Sequence, residues 1–218
     1  LAATDHAVAA APSRRQPPIP YSPAVLRQHL EASLRNLQTD HVDYYLLHEG
    51  HADYLNAEFL EALEQLVQEG KIRHYGVGTG RWQCRCLVEA FPDQPWILQI
   101  PDSLLDRDTA WFAARSSGPL FTHSAMRLER EDARRELRRL LPRWASLSGR
   151  DPEDPALAGE LLLTLALSRN PTGCVVFSSG SDARIRGNAA ALLAWADGTG
   201  PTAAQLRDCL PDNALPSA

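Results

Sequence analysis

The stretch Val42–Gly78, VDYYLLHEGHADYLNAEFLEALEQLVQEGKIRHYGVG, changes its hydrophobic rhythm twice, and those changes decide the fold. At its head, VDYYLLH is short, β-branched and aromatic, which reads as a buried strand ending at His48. Asn56 can then cap a helix whose Phe59, Leu60, Leu63, Leu66 and Val67 share one face, and Gly70 supplies a left-handed stop. IRHYGVG follows as a second strand. A strand, a helix and a strand joined by short links, with no hairpin turn, place the two strands parallel.

The alternation continues in both directions. Upstream, Ser22 and Pro23 open a helix in which Leu26, Leu30, Leu34 and Leu37 recur at helical spacing. Downstream, RWQCRCLVEAF reads as helix, WILQIPDS as strand, LLDRDTAWFAARSS as helix and PLFTHSA as strand. ALAGELLLTLALSRN reads as helix, GCVVFSSG as strand and SDARIRGNAAALLAWA as helix. The expected architecture is therefore α/β, with five parallel strands and helical crossovers. A closed barrel of this kind has eight strands and around 250 residues, so a TIM-type (β/α)8 barrel here lacks about its first three strands. The expected segments are an irregular 1–22, the partial barrel over 23–200, and a C-terminal helix and tail over 201–218.

The chain has 218 residues, 44% of them hydrophobic, which suits one packed domain. A net charge of -5 gives no general attraction to nucleic acid or to anionic membrane, and leaves a small molecule or a protein as the expected partner. No apolar run reaches the length of a membrane span and no secretory signal pattern is present, so a cytoplasmic protein is expected. Cys84, Cys86, Cys174 and Cys209 are too scattered for a disulfide framework, and reduced thiols are expected. The dense run RLEREDARRELRRLLPRW interleaves arginines with Glu129, Glu131, Asp132 and Glu136, as expected for a solvated helix laced by ion pairs and not for a nucleic-acid contact. Lys71 is the only lysine of the chain.

In parallel α/β folds the chemistry gathers where the strands end and their loops begin. His48 stands at such an end, where an imidazole near neutrality can donate to a polarised carbonyl. His48, Glu49, His51 and Asp53 also raise a metal reading, but no distant ligand completes a cage, and no metal is expected. YGVGTG imitates a dinucleotide fingerprint without the acidic residue that a Rossmann unit places after it.

LEASLRNLQTDHVDYYLLH followed by EFLEALEQLVQEGKIRHYGVG closely resembles the aldo-keto reductase family, whose fourth strand ends in Leu-Leu-His and whose next crossover carries Gly-Lys-Ile-Arg. The resemblance runs from about residue 22 to 196. It implies a (β/α)8 barrel that binds NADPH, with NADH as an alternative, and reduces an aldehyde or ketone by hydride transfer. It sets His48 at the catalytic histidine, Gln99 at the glutamine that holds the nicotinamide carboxamide, and Gly78 and Thr79 at a Ser-Asn pair. His123 takes the place of a ring-stacking tyrosine and Ser124 that of a serine on the pyrophosphate. Ser178, Ser179, Arg184 and Asn188 stand at the places of a Lys-Ser-x-x-x-x-Arg-x-x-x-Asn signature, with Ser178 where the family has lysine; Arg184 and the helix N-terminus suit the adenosine 2′-phosphate, and the missing lysine implies weaker binding and a less marked preference for NADPH.

The resemblance also implies an aspartate, a tyrosine and a lysine that this sequence does not offer at matching positions, since it begins after the region expected to hold the first two. Lys71 precedes a strand and so belongs to the opposite face. The expected activity is thus an impaired or truncated reductase, and the alternative is a non-catalytic cofactor-binding or regulatory relative. Open sheet edges make self-association a further expectation.

Overall fold

In the computed structural model the described residues are 21–198, so the expectations for an irregular start and for a helix and tail over 201–218 fall largely or wholly outside them. The elements are α1 (Pro23–Leu37), β1 (Val42–His48), α2 (Ala57–Gln68), β2 (Ile72–Gly78), α3 (Arg81–Ala90), β3 (Ile97–Pro101), α4 (Thr109–Ala113), β4 (Phe121–His123), α5 (Glu131–Ser148), α6 (Leu157–Arg169), β5 (Cys174–Val175) and α7 (Asp182–Ala196). The strands form one parallel sheet in the order β1-β2-β3-β4-β5, each beside its predecessor in the chain. That is the strand order of a (β/α) barrel over five strands, and it bears out the sequence expectation.

Local chemistry sets the element ends. The Ser22 hydroxyl accepts from the Val25 N–H at 3.3 Å, with Pro23 as first helical residue, and the Asn56 side chain accepts from the Phe59 N–H at 2.9 Å. α2 stops at Gly70, whose φ of +71° lets the Lys71 N–H return to the Leu66 carbonyl at 3.1 Å. The exposed charged helix is there as read, but it starts at Glu131, with Glu131 paired to Arg134 and Arg138, and Glu136 paired to Arg139. Arg127 to Arg130 therefore belong to the loop after β4.

Two readings need correction. Over LLDRDTAWFAARSS only Thr109–Ala113 is helical, because Arg81, Asp106 and Arg169 bind the backbone and side chains of residues 101–108 in an open loop. GCVVFSSG pairs only at Cys174 and Val175, since β4 offers a short partner at Phe121 and Thr122.

The main core lies between the outer face of the sheet and α1–α3, where Leu30, Leu63, Leu66, Val77, Leu87 and Leu98 are buried. Each such side chain contributes on the order of 1.5–3 kcal/mol. α6 is apolar on nearly every face because it is packed against both α5 and α7. Among the described residues no helix is long and apolar enough to cross a membrane.

The sheet is curled. Tyr44 of β1 meets Phe121 of β4 edge to face at 5.2 Å between ring centroids, although two strands separate them. At about 4.8 Å per strand step, a flat sheet holds those strands roughly 14 Å apart. Curvature toward the inner face closes the gap.

Glycine permits the tightest part of that curvature. A Cβ at residue 76 would lie 1.8 Å from the Ile97 carbonyl oxygen, so β2 and β3 can pair there only without one. Gly76→Ala is expected to destabilise the protein by more than about 3 kcal/mol in urea unfolding. Gly187→Ala, where an added Cβ meets open space within α7, is expected to be neutral or to stabilise by about 1 kcal/mol.

Candidate active site

Side chains alternate across a strand, so the register determines which residues share the inner face. His48 pairs with Gly78, Gly78 with Gln99 and Gln99 with Phe121, while Pro101 pairs with His123. His48, Gly78, Gln99 and His123 therefore stand together on the inner face, near the carboxyl ends of their strands. The layer beneath is aromatic: Tyr44 stacks on His74 at 5.5 Å and meets Phe121.

His48 is exposed, and its strand end is fixed by the Glu49 N–H, which donates to the Gly78 carbonyl at 2.8 Å. The Tyr21 hydroxyl donates to the His48 carbonyl at 3.2 Å. Both residues line a cavity of about 530 Å³ between α1 and β1, with His29, Tyr45 and Phe59. Burial, with Glu49 nearby, pushes the Tyr21 hydroxyl above its ordinary pKa, which keeps it a protonated donor.

Gln99 lies over Gly78: its Oε1 is 2.5 Å from where a Cβ on residue 78 would be. Glycine at 78 thus makes room for the carboxamide. Thr79 is buried, its N–H donates to the Gln99 carbonyl at 3.2 Å, and its hydroxyl has no hydrogen-bond partner among the described residues.

The ends of β4 and β5 form a second part of the site. His123, Ser124 and Ser178 line one cavity of about 300 Å³ with Arg127 and Phe177. His123 Nδ1 is 2.8 Å from the Ser124 hydroxyl, and Ser124 holds φ at +66°, a conformation that costs a non-glycine residue about 1 kcal/mol. Ser179 accepts from Arg184 Nε at 3.3 Å, so this pair is together on the exposed start of α7. Asn188 is buried, with its side-chain oxygen 3.3 Å from where a Cβ on Gly159 would lie. It faces α6 and stands apart from the other cofactor-binding candidates.

All the candidate residues from His48 to Arg184 thus lie at one end of the sheet, in two groups: His48, Thr79 and Gln99 at one side, His123, Ser124, Ser178, Ser179 and Arg184 at the other. Lys71 lies at the opposite end, bonded to Glu31. His51 caps a short 3₁₀ turn, Ala52–Tyr54, and its Nδ1 accepts from the Asp53 N–H at 3.3 Å. Among the described residues no three His, Cys, Asp or Glu side chains converge as a metal requires.

Sequence reasoning passed over the groups that hold these loops. Asp102 is buried after β3, accepts from the Thr109 hydroxyl at 2.6 Å, and donates its N–H to the His123 carbonyl at 2.7 Å. Burial pushes its carboxyl up, and Arg169 opposes that. Arg81 binds the Pro101 carbonyl and Asp108, and Arg169 the carbonyls of Ser103 and Leu104. A buried arginine in a leucine-rich helix is the signal that was available, because such a charge needs partners.

Residues 14–110 match the aldo/keto reductase family model. An uncharacterized oxidoreductase of Bacillus subtilis (strain 168), YqkF, is 42% identical over 60 residues, covering 28% of this chain and 20% of that protein. The 6-dehydroglucose reductase of Agrobacterium fabrum is 40% identical over 81 residues, covering 37% of this chain and 27% of that protein. In fold the chain is similar to the thermostable aldo-keto reductase Tm1743, with a TM-score of 0.66 and 24% identity over 87% of this chain and 66% of that one. The chain therefore spans just under two thirds of Tm1743, and the matched stretches span about a quarter or less of the curated relatives.

Burial, reinforced by the Arg127 guanidinium, holds the His123 pKa below its ordinary value. A depressed histidine binds its proton more readily in the unfolded chain. Its contribution to stability is therefore present above the ordinary histidine pKa and lost as pH falls through the folded one. NMR titration is expected to place His123 below an exposed histidine, and His123→Gln to weaken the dependence of stability on pH over the range from about 6.5 downward.

Proposed function

We propose that the chain is a member of the aldo-keto reductase family and that it carries the carbonyl-polarising and cofactor-binding parts of an NAD(P)H-dependent carbonyl reductase acting on a small aldehyde or ketone. The observation that carries the reading is the row His48, Gly78, Gln99, in register across three strands and one end of the sheet.

A reduced nicotinamide dinucleotide supplies hydride. The residues present fit it: the Gln99 carboxamide and the orphaned Thr79 hydroxyl are a donor and acceptor set for the nicotinamide amide. His123 offers a planar face, Ser124 and Ser178 offer hydroxyls in one cavity, and Ser179 and Arg184 form an exposed anion grip. His48 does the chemistry that falls to this chain. Its imidazole hydrogen-bonds the substrate carbonyl oxygen, draws charge onto it and fixes which face receives hydride. Tyr21 holds the backbone of His48 in place.

A second reading, a cofactor-binding relative without turnover, has one observation in its favour. The only lysine is bonded to Glu31 at the far end of β2, so it cannot lower the pKa of a tyrosine beside His48. The proposal therefore includes slow turnover by this chain alone, in a cytoplasmic setting and without nucleic acid as partner.

Direct binding of NADPH, followed by its fluorescence, together with NADPH oxidation in the presence of a small reactive aldehyde, tests both readings. His48→Gln is expected to keep NADPH affinity within about threefold and to lose about 100-fold in turnover. Binding with no turnover by the wild-type chain favours the second reading, and an absence of binding sinks both.

A further inference from the structure

We propose that Arg127 is the cation that meets the pyrophosphate of the dinucleotide, and that Glu129 competes with the cofactor for it. This deepens the cofactor reading and rests on it.

The argument starts from charge. The cavity between the ends of β4 and β5 is lined by His123, Ser124, Arg127 and Ser178 among polar residues, and no carboxylate lines it. With its pKa held down, His123 is neutral at physiological pH, and the serines carry no charge. Arg127 is thus the one formal charge on the wall of a space that offers two hydroxyls and an imidazole. A diphosphate bears two adjacent negative charges and many acceptor oxygens, and that donor set complements it.

Geometry fixes Arg127 there. Its N–H donates to the Ser124 carbonyl at 2.9 Å, closing a turn directly after β4. Ser124, at a φ of +66°, bends the chain so that its hydroxyl and the Arg127 side chain border the same space. Arg127 also borders the adjoining cavity of about 290 Å³ beside Arg81, Ser103 and Arg130, so it stands on the ridge between the two. Arg184 does not line the first cavity, and its bond to Ser179 keeps it with the start of α7. The two arginines are therefore separate anion contacts, Arg127 toward the mid-part of an extended dinucleotide and Arg184 toward its adenosine end.

Glu129 supplies the competition. It pairs with Arg127 at 2.8 Å, with both side chains more than half exposed. A pair so exposed is weak, and its carboxylate brings one charge against the two of a diphosphate. A phosphate in bidentate contact displaces it at small cost.

Binding of NADPH and of NADH to the full chain, measured by titration calorimetry, tests the assignment with four variants whose folding is checked by thermal melting. Arg127→Gln is expected to weaken NADPH and NADH alike, by about tenfold, because pyrophosphate is common to both. Arg127→Lys keeps the charge without the fork and is expected to fall between. Glu129→Gln is expected to tighten both by about two- to fivefold. Arg184→Gln is expected to weaken NADPH more than NADH. Inorganic pyrophosphate is expected to compete with NADH on the wild-type chain and less effectively on Arg127→Gln.

Unchanged affinity in Arg127→Gln overturns the assignment while leaving the cofactor reading intact. Loss confined to NADPH also overturns it, since Arg127 would then serve the 2′-phosphate. Unchanged affinity in Glu129→Gln overturns the competition. If the wild-type chain binds neither dinucleotide, the cofactor reading and this inference fail together.

Discussion

The site depends on the parallel register of β1, β2 and β3. Parallel pairing puts every carboxyl end on one side of the sheet, and the pairs His48–Gly78 and Gly78–Gln99 put three functional positions in one row on one face. A slip by one residue on any of the three strands would send that row toward the helices. The register is therefore defended from both sides. On the outer face Tyr75, Val77, Leu98 and Ile100 are buried against helices, and on the inner face the missing side chains of Gly76 and Gly78 admit Ile97 and Gln99. Hydrophobic burial sets the alternation and glycine sets the fit.

Fold and site were legible to different depths for physical reasons. The Val42–Gly78 unit was readable because two long strands and a well-capped helix state their periods over many residues, and Asn56 and Gly70 mark the ends chemically. The C-terminal half was harder. β4 and β5 are three and two residues long, too short to show a period, and only their place between helices revealed them. The segment after β3 misled because Leu104, Leu105, Trp111 and Phe112 fit a helical face, whereas the polar groups among them, Asp102, Asp106 and Asp108, bind Arg81, Thr109 and Ser103 in a loop. Local side-chain bonds overrode propensity there.

Among the site residues, those at strand ends were the easiest to place. His48 follows from its place at the end of a strand, whereas Gln99 and His123 were named by the family resemblance. Thr79 and Ser124 were named by the resemblance and Arg127 was not, but loop conformation gives all three their settings: one hydroxyl is buried without a partner among the described residues, one serine is held left-handed, and one arginine is turned back over that serine. Arg127 was also concealed by composition, since it opens a run whose other arginines sit on an exposed helix and pair with its glutamates. The helix begins four residues later than the run does. No pattern in sequence separates those two environments.

The aromatic layer under the row links the curvature of the sheet to the chemistry above it. In a closed barrel the interior is filled by side chains from all strands in stacked layers. Over five strands, Tyr44, His74 and Phe121 do that work by touching one another across the arc, with Tyr44 still 39% exposed. Each ring pair is worth about 0.5–1.5 kcal/mol beyond its burial, a modest energy for holding β1 against β4. Yet the reach between His48 on one side and His123 on the other is set by that same arc, because they stand on those two strands. The contact that best defines the site's width is thus a stack of rings that touches neither substrate nor cofactor. Tyr44 carries most of it, being the one ring of the three that contacts both of the others.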